Sequence, residues 1–340
     1  MQKWIYDLSY DELNMELEAM GLKSFVTLQV FQWLYGKLNP QVTEWSNISK
    51  INREKLSRYY NTALPEIPIL EEDKDGTQKF LFKLADGTRV EAVSIKEKRH
   101  YTFCISTQVG CALRCKFCAT GRLGFTRNLT PGEILSQVIM LKSKIPGYTG
   151  KINLVFMGMG EPLLNYDNLK KALGIIIAER GMSISPRNIT VSTAGILEGI
   201  KKLEQDFPRL KISLSLNAAD EATRESLMPI NKKQKLSALL GYFRQEHRKN
   251  RVTFEYVMLK GINDSLEDAA KLVSMLKGIP CKINLIPYNE NKSIKLQTPA
   301  DDTVEAFCEY LNAKGFTVIT RWSKGREIKS ACGQLTAEYP

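Results

Sequence analysis

Between about residue 100 and residue 320, short aliphatic and β-branched runs alternate with longer amphipathic segments. No other feature of the chain constrains its fold as much. Strand-like runs occur at Tyr101–Ser106, Ile152–Met157, Asn188–Ser192, Leu210–Leu216, Val252–Val257, Cys281–Ile286 and Thr317–Thr320. Helical spacing occupies Pro131–Lys144, Asn168–Arg180, Ile196–Gln205, Lys235–His247, Leu266–Lys277 and Thr303–Lys314. A strand–helix alternation of this kind predicts a parallel sheet with helices outside it. About six such units are too few for the eight of a closed barrel. The expected fold class is therefore α/β, a partial (β/α)6 barrel.

Two further pieces precede that core. Residues 1–65 are expected to be a small helical domain. Its segments are Asp11–Met20 (ended by Gly21), Phe25–Leu38 and the basic stretch Lys50–Tyr60. Residues 66–100 are expected to hold a linker at Pro65-Glu66-Ile67-Pro68 and a β-hairpin. In the hairpin, Lys79–Leu84 and Thr88–Ile95 flank the turn Ala85-Asp86-Gly87. The barrel is assigned to residues 101–322, and a polar, irregular tail carrying Cys332 to residues 323–340.

The densest chemistry lies in Cys111-Ala-Leu-Arg-Cys115-Lys-Phe-Cys118. Three thiolates so close together can hold three irons of a four-iron, four-sulfur cluster and leave the fourth iron open. A structural zinc site wants four closed ligands, usually two C-x2-C pairs. No second pair exists, and His100, the nearest candidate fourth ligand, is poorly spaced. Seven cysteines is an odd number. With no apolar leader and no apolar stretch near 18 residues, they point to metal or redox chemistry in a reducing cytoplasm, away from membranes. Cys281 and Cys308 lie in apolar strand and helix patterns and are expected in the core.

The net charge of +11 makes a polyanion the natural partner, with nucleic acid first. Basic runs occur at Lys96–His100, Lys232–Lys235 and Arg244–Arg251; His247 is expected on an exposed helix face. In a parallel sheet, functional groups gather at the C-terminal ends of strands. There the sequence places Gly158-Met159-Gly160-Glu161-Pro162, Ser192-Thr193, Ser215-Leu216-Asn217 and Pro287-Tyr288-Asn289. The glycines are expected to let backbone approach a ligand, and Glu161 to accept from an ammonium group. The small polar residues suit a ribose and an amino acid moiety.

These residues resemble the radical S-adenosylmethionine (SAM) enzymes, and within them the RlmN/Cfr family of RNA adenine methyltransferases. The stretches carrying the resemblance are Phe103–Cys111 with the cysteine loop, Gly160-Glu161-Pro162, Cys281–Pro287 and Ala331–Leu335. It covers about residues 78–335, with a helical module of the expected size before it. One departure is Asn217, where many relatives carry His.

The resemblance implies an enzyme with one 4Fe-4S cluster on Cys111, Cys115 and Cys118. It implies SAM, two molecules per turnover, bound by Gly160, Glu161, Ser192, Ser215, Leu216, Asn217 and Asn289. Adenine C2 is electron-poor and cannot displace a methyl group from a sulfonium, so a carbon radical is needed. By analogy the Cys332 thiolate takes a methyl group by displacement and carries it, after hydrogen abstraction, to C2. Cys104 then attacks the Cys332 sulfur, releasing product and leaving a transient disulfide. The family's proposed base for the C2 proton falls on Glu91. The implied targets are adenosine 2503 of 23S rRNA and adenosine 37 of some tRNAs. The implied electron donor is one such as flavodoxin, and the expected state is a monomer. Two alternatives stand: a Cfr-like C8 methyltransferase, against which Pro162 speaks because Cfr-like chains tend to carry Ala there, and a non-catalytic zinc-binding RNA module.

Overall fold

In the computed structural model, which describes residues 2–245, 251–291, 294–325 and 327–337, one ten-stranded sheet organises the chain. Its strands in chain order are β1 (Glu66–Glu72), β2 (Gln78–Lys83), β3 (Arg89–Lys96), β4 (His100–Cys104), β5 (Lys151–Phe156), β6 (Ile189–Thr193), β7 (Lys211–Ser215), β8 (Val252–Met258), β9 (Cys281–Pro287) and β10 (Val318–Thr320). Neighbours in sequence are neighbours in the sheet throughout. From β4 to β10 every pairing is parallel. β1 to β4 pair antiparallel. The seven parallel strands stand where the sequence places them, and β10 and β1 end the sheet, so the barrel is not closed.

Within the segment Pro65–Pro68, expected as a linker, the residues from Glu66 onward instead open β1. Its pairing with β2 shifts register between Glu66 and Ile69, around Pro68. A proline lacks a backbone donor, so an edge strand at a bulge is where a sheet tolerates it. His100, at the end of the basic run Lys96–His100, begins β4 and lies opposite Lys151. The helix expected over Lys235–His247 runs Leu236–Phe243; His247 and the middle of the Arg244–Arg251 basic run lie outside the described residues.

The helix Pro131–Ser143 carries a capping box, with Thr130 and Glu133 each bonding the other's backbone N–H and proline at its first turn. It is buried on nearly every side because the sheet covers one face and the N-terminal segment the other. That segment folds as Tyr10–Ala19, Ser24–Phe31 and Lys50–Tyr59, with a wide turn at Gln32–Gly36. Asp7 Oδ1 accepts the backbone N–H of Gly132 at 2.9 Å. A Cβ on Gly132 would stand 2.7 Å from the Trp4 ring, so glycine is what lets the two surfaces touch. Lys171 Nζ meets Glu12 Oε1 at 2.8 Å on the same face. Cys281 and Cys308 are half-buried against the core. No helix among the described residues is long and apolar enough to cross a membrane.

Candidate active site

The loop after β4 is fixed before it reaches its cysteines. Gln137, buried on the helix Pro131–Ser143, donates from Nε2 to Ser106 O and accepts from Ser106 N. Gln108–Gly110 then pairs antiparallel with Phe125–Asn128. Gly110 has φ +73°, and a Cβ there would sit 2.0 Å from Gly124 O. Cys111 N instead donates to that oxygen at 2.7 Å. Beyond it, Lys116 N donates to Leu227 O and Ala119 N to Gly333 O, tying the loop to a neighbouring helix end and to the C-terminal tail.

Cys111, Cys115 and Cys118 all line one cavity at the C-terminal ends of the parallel strands. Burial raises all three thiols, and neighbouring cysteines add to it at Cys111 and Cys115; Cys111 is pushed up to about 12, while Arg224 pulls Cys115 the other way. Among the described residues no three His, Cys, Asp or Glu side chains converge closely enough to hold a single metal ion. His100 sits at the N-terminal end of its strand, away from this cavity, and does not line it. Three soft donors facing one space with no fourth ligand fit a cluster with an open iron.

The other strand ends meet the same space. Gly160, Glu161, Ser192, Ser215, Asn217 and Asn289 line the cavity; Leu216 is fully buried and does not. Glu161 Oε2 accepts the Ala194 N–H at 2.8 Å and Oε1 that of Leu163 at 3.2 Å. Burial nevertheless lifts its carboxyl to about 7. Tyr288 OH and Asn289 Oδ1 are buried without a partner, and both residues line the cavity. Buried polar atoms left this way normally meet a ligand or water.

Two of these groups are also held by the protein's own packing. The glycines of the Gly158–Pro162 turn serve the chain's own packing. A Cβ on Gly158 would stand 2.6 Å from Ser106 Oγ, and one on Gly160 (φ +98°) 2.5 Å from Gln108 Cβ. Asn217, expected to bond a ligand, spends its side chain inside the protein. Oδ1 accepts the Val257 N–H at 2.9 Å and Nδ2 donates to Met228 Sδ. It stands at φ +59°, a left-handed conformation that asparagine adopts more readily than most residues.

A second cavity, of about 400 Å³, adjoins the first. Cys104 and Cys332 both line it, and Cys332 lines the first as well. Cys104 is buried, and its thiol is pushed up to about 12 by desolvation and the nearby Cys332, against the pull of Arg321. Cys332 is exposed at its place in the tail, and desolvation by the surrounding wall raises its thiol too. All seven cysteines are free thiols. Asn289 Nδ2 donates to Cys332 O at 3.3 Å and Thr120 Oγ1 to Leu335 O at 2.7 Å, so the tail lies across the cavity mouth.

Glu91, on which the resemblance places the base for the C2 proton, is 2% exposed and lines neither cavity. Its Oε2 accepts the backbone N–H groups of Thr336 and Ala337, and Lys79 Nζ approaches Oε1 at 3.7 Å. One further residue escaped the sequence reading. Arg224 is fully buried and donates to the carbonyls of Ala194, Ser215 and Leu216 and to Asn231 Oδ1. Its signal was faint: an arginine one helical turn before Leu227, on the face that should be apolar.

Residues 105–273 match the family model of the Radical SAM superfamily, and residues 3–61 that of the ribosomal RNA large subunit methyltransferase N-terminal domain. The "Dual-specificity RNA methyltransferase RlmN" of Geobacter sulfurreducens is 43% identical over 97% of this chain and 91% of its own length. That of Syntrophus aciditrophicus is 41% identical over 98% of this chain and 96% of its own. The chain belongs to the RlmN family of radical SAM RNA methyltransferases. A crystal structure of a radical SAM methyltransferase from Sphaerobacter thermophilus superposes with a TM-score of 0.95 at 36% identity, covering 99% of this chain and all of that one. Membership in the RlmN family implies a 4Fe-4S cluster and SAM, which agrees with the three thiols and the orphaned polar atoms around one cavity.

Proposed function

We propose that this chain methylates C2 of an adenosine in 23S rRNA, at position 2503 as in its family, and of adenosine 37 in some tRNAs. The observation that carries the reading is Cys332, which lines both cavities. One side of it faces the cysteine loop and the polar strand ends; the other faces Cys104. A group that must take methyl from a donor and deliver it to an acceptor belongs at such a boundary.

The cluster and SAM, when bound, supply the methyl group and the carbon radical that an electron-poor C2 requires. In this reading Cys111, Cys115 and Cys118 hold the cluster. Glu161 accepts the ammonium of SAM, and Ser192, Ser215, Tyr288 and Asn289 meet its ribose and carboxylate. The Cys332 thiolate would take the methyl group of one SAM, displacing S-adenosylhomocysteine, and that S-methyl group would then give up a hydrogen atom to the deoxyadenosyl fragment of a second SAM, leaving on Cys332 a carbon able to bond C2. The Cys104 thiolate then attacks the Cys332 sulfur and breaks its bond to the methylene, which leaves on the base and takes a proton to become the methyl group; the transient disulfide reopens by exchange with thiols, and an electron donor such as flavodoxin would reduce the cluster. Glu91 takes the C2 proton once Thr336 and Ala337 leave it. Residues 1–65 and the exposed Lys232 and Lys233 dock RNA, in a cytoplasmic monomer.

The test is product identity. Protein purified without oxygen is incubated with SAM, reductant and unmodified rRNA, and the digested RNA is read by mass spectrometry. C2-methyladenosine that vanishes in Cys332→Ala is the expected result. A C8 product moves the chain to the Cfr-like branch, and no methylated adenosine overturns the reading.

A further inference from the structure

The second cavity occupies the open side of the partial barrel. Thr102 and Cys104, from the first parallel strand, line it together with Thr320 of the last, and the tail at Ser330–Gly333 covers it. Directly after β10, Arg321 and Trp322 enter its wall. The Arg321 N–H donates to Leu285 O at 2.8 Å, which prolongs the ladder by one residue and fixes where Trp322 emerges.

Trp322 differs from the chain's other three tryptophans. Trp33 and Trp45 are buried, and Trp4 is half-buried with its Nε1 donating to Ala63 O. Trp322 remains 46% exposed while lining a cavity. Its neighbours there are chemically mixed. Arg321 brings a positive charge close enough to bias both reactive thiols. Lys324 is bound to Glu97 at 3.0 Å and to Lys96 O, closing the far end. An exposed indole beside a cation, in a cavity of this size, matches the way single unstacked bases are held. The ring stacks on the base and the cation meets the adjoining phosphate.

We propose that Trp322 is the stacking platform for the acceptor adenine, with Arg321 holding the flanking phosphate. The inference rests on the proposed function and adds to it a recognition residue. It explains why an aromatic side chain stays in contact with solvent at the mouth of the Cys104–Cys332 space. Stacking keeps the base unpaired and its edge turned toward Cys332.

The test uses the cluster-loaded protein and two labelled RNA hairpins. One carries a single unpaired adenosine in its loop; the other carries an abasic site at that position. Wild-type protein is expected to bind the adenosine hairpin about tenfold more tightly than the abasic one, the size of one stacked base. Trp322→Ala should lose that preference and bind both like the abasic RNA, while Trp322→Phe keeps most of it. Equal preference in wild type and Trp322→Ala overturns the inference. Methylation is scored separately on the same adenosine hairpin. Product formed with an unchanged KM in Trp322→Ala sinks the stacking role and leaves the proposed function standing. No methylated adenosine and no adenosine preference in wild type sinks both.

Discussion

Glu91 Oε2 holds the backbone N–H of Thr336 at 2.9 Å, four residues beyond Cys332. A carboxylate expected to receive a proton from substrate is here an anchor for the segment that carries the methyl acceptor. The two duties exclude one another in time, so the tail must leave Glu91 before Glu91 can act on a base. Substitutions separate them. An amide oxygen still accepts N–H bonds, so Glu91→Gln should keep the tail docked and lose about 10²- to 10⁴-fold in turnover, the range for a general base. Glu91→Ala should lose turnover and also free the tail, speeding alkylation of Cys332 by iodoacetamide. Alkylation at the wild-type rate in Glu91→Ala would rule out the anchoring role.

Glu161 gives a pH dependence with a defined sign. Its carboxyl is raised from 4.5 to about 7 by burial. A raised acid favours its protonated form, so its stabilising contribution is full below pH 4.5 and is lost as pH rises through 7. A ligand ammonium reverses the balance, because it needs the carboxylate. SAM affinity, measured by equilibrium dialysis, should therefore rise between pH 6 and pH 8 and level off above. Glu161→Gln should bind weakly at every pH. A flat wild-type profile would contradict the ammonium contact.

Much of this was legible in the sequence, for identifiable reasons. All seven parallel strands were: the inner ones are largely buried and read as near-continuous apolar runs, while the half-exposed edge strand β10 shows in its β-branched residues. The cysteine spacing announced a cluster because few other uses need three adjacent thiols. What the sequence does not show shares one cause: each feature depends on what another part of the chain does. Pro65–Pro68 reads as a linker until β2 offers it a partner strand. Nothing around Glu91 in the sequence shows that the tail, 245 residues away, covers it. Asn217 reads as a ligand group because Val257, which consumes its oxygen, lies on another strand.

The Gly160 turn separates backbone cost from collision. Gly160 and Gly124 both have positive φ, +98° and +76°. A Cβ on Gly124 meets nothing within 4 Å, whereas one on Gly160 lies 2.5 Å from Gln108 Cβ. Gly124→Ala should cost only the backbone strain, about 1–3 kcal/mol. Gly160→Ala should cost more and displace Glu161, whose N–H bonds Gln108 Oε1 at 2.8 Å. Urea denaturation of both variants checks the order, and SAM binding should fall in Gly160→Ala alone. Equal midpoints would show that Gln108 yields freely.

Arg224 braces three strand-end carbonyls from beneath the first cavity, with Nη2 on Ala194 O at 2.7 Å and on Ser215 O at 3.1 Å. Nε reaches Leu216 O at 3.1 Å, and Nη1 bonds Asn231 Oδ1. Among the described residues no carboxylate is hydrogen-bonded to the guanidinium, and three carbonyls and an amide oxygen replace its water. Burial lowers it to about 10, so it stays charged at neutral pH. Arg224→Met fits the apolar surroundings but leaves those acceptors without donors, at about 1–3 kcal/mol for each that water cannot reach. Arg224→Lys keeps the charge yet cannot span acceptors on two strands and a helix turn. Both variants should melt earlier than wild type, and Lys should not rescue Met. SAM affinity should fall with them, since Ser215 and the Ala194 N–H that Glu161 accepts ride on the same strand ends. If Arg224→Lys bound SAM and melted like wild type, charge alone would matter and the bracing geometry would not.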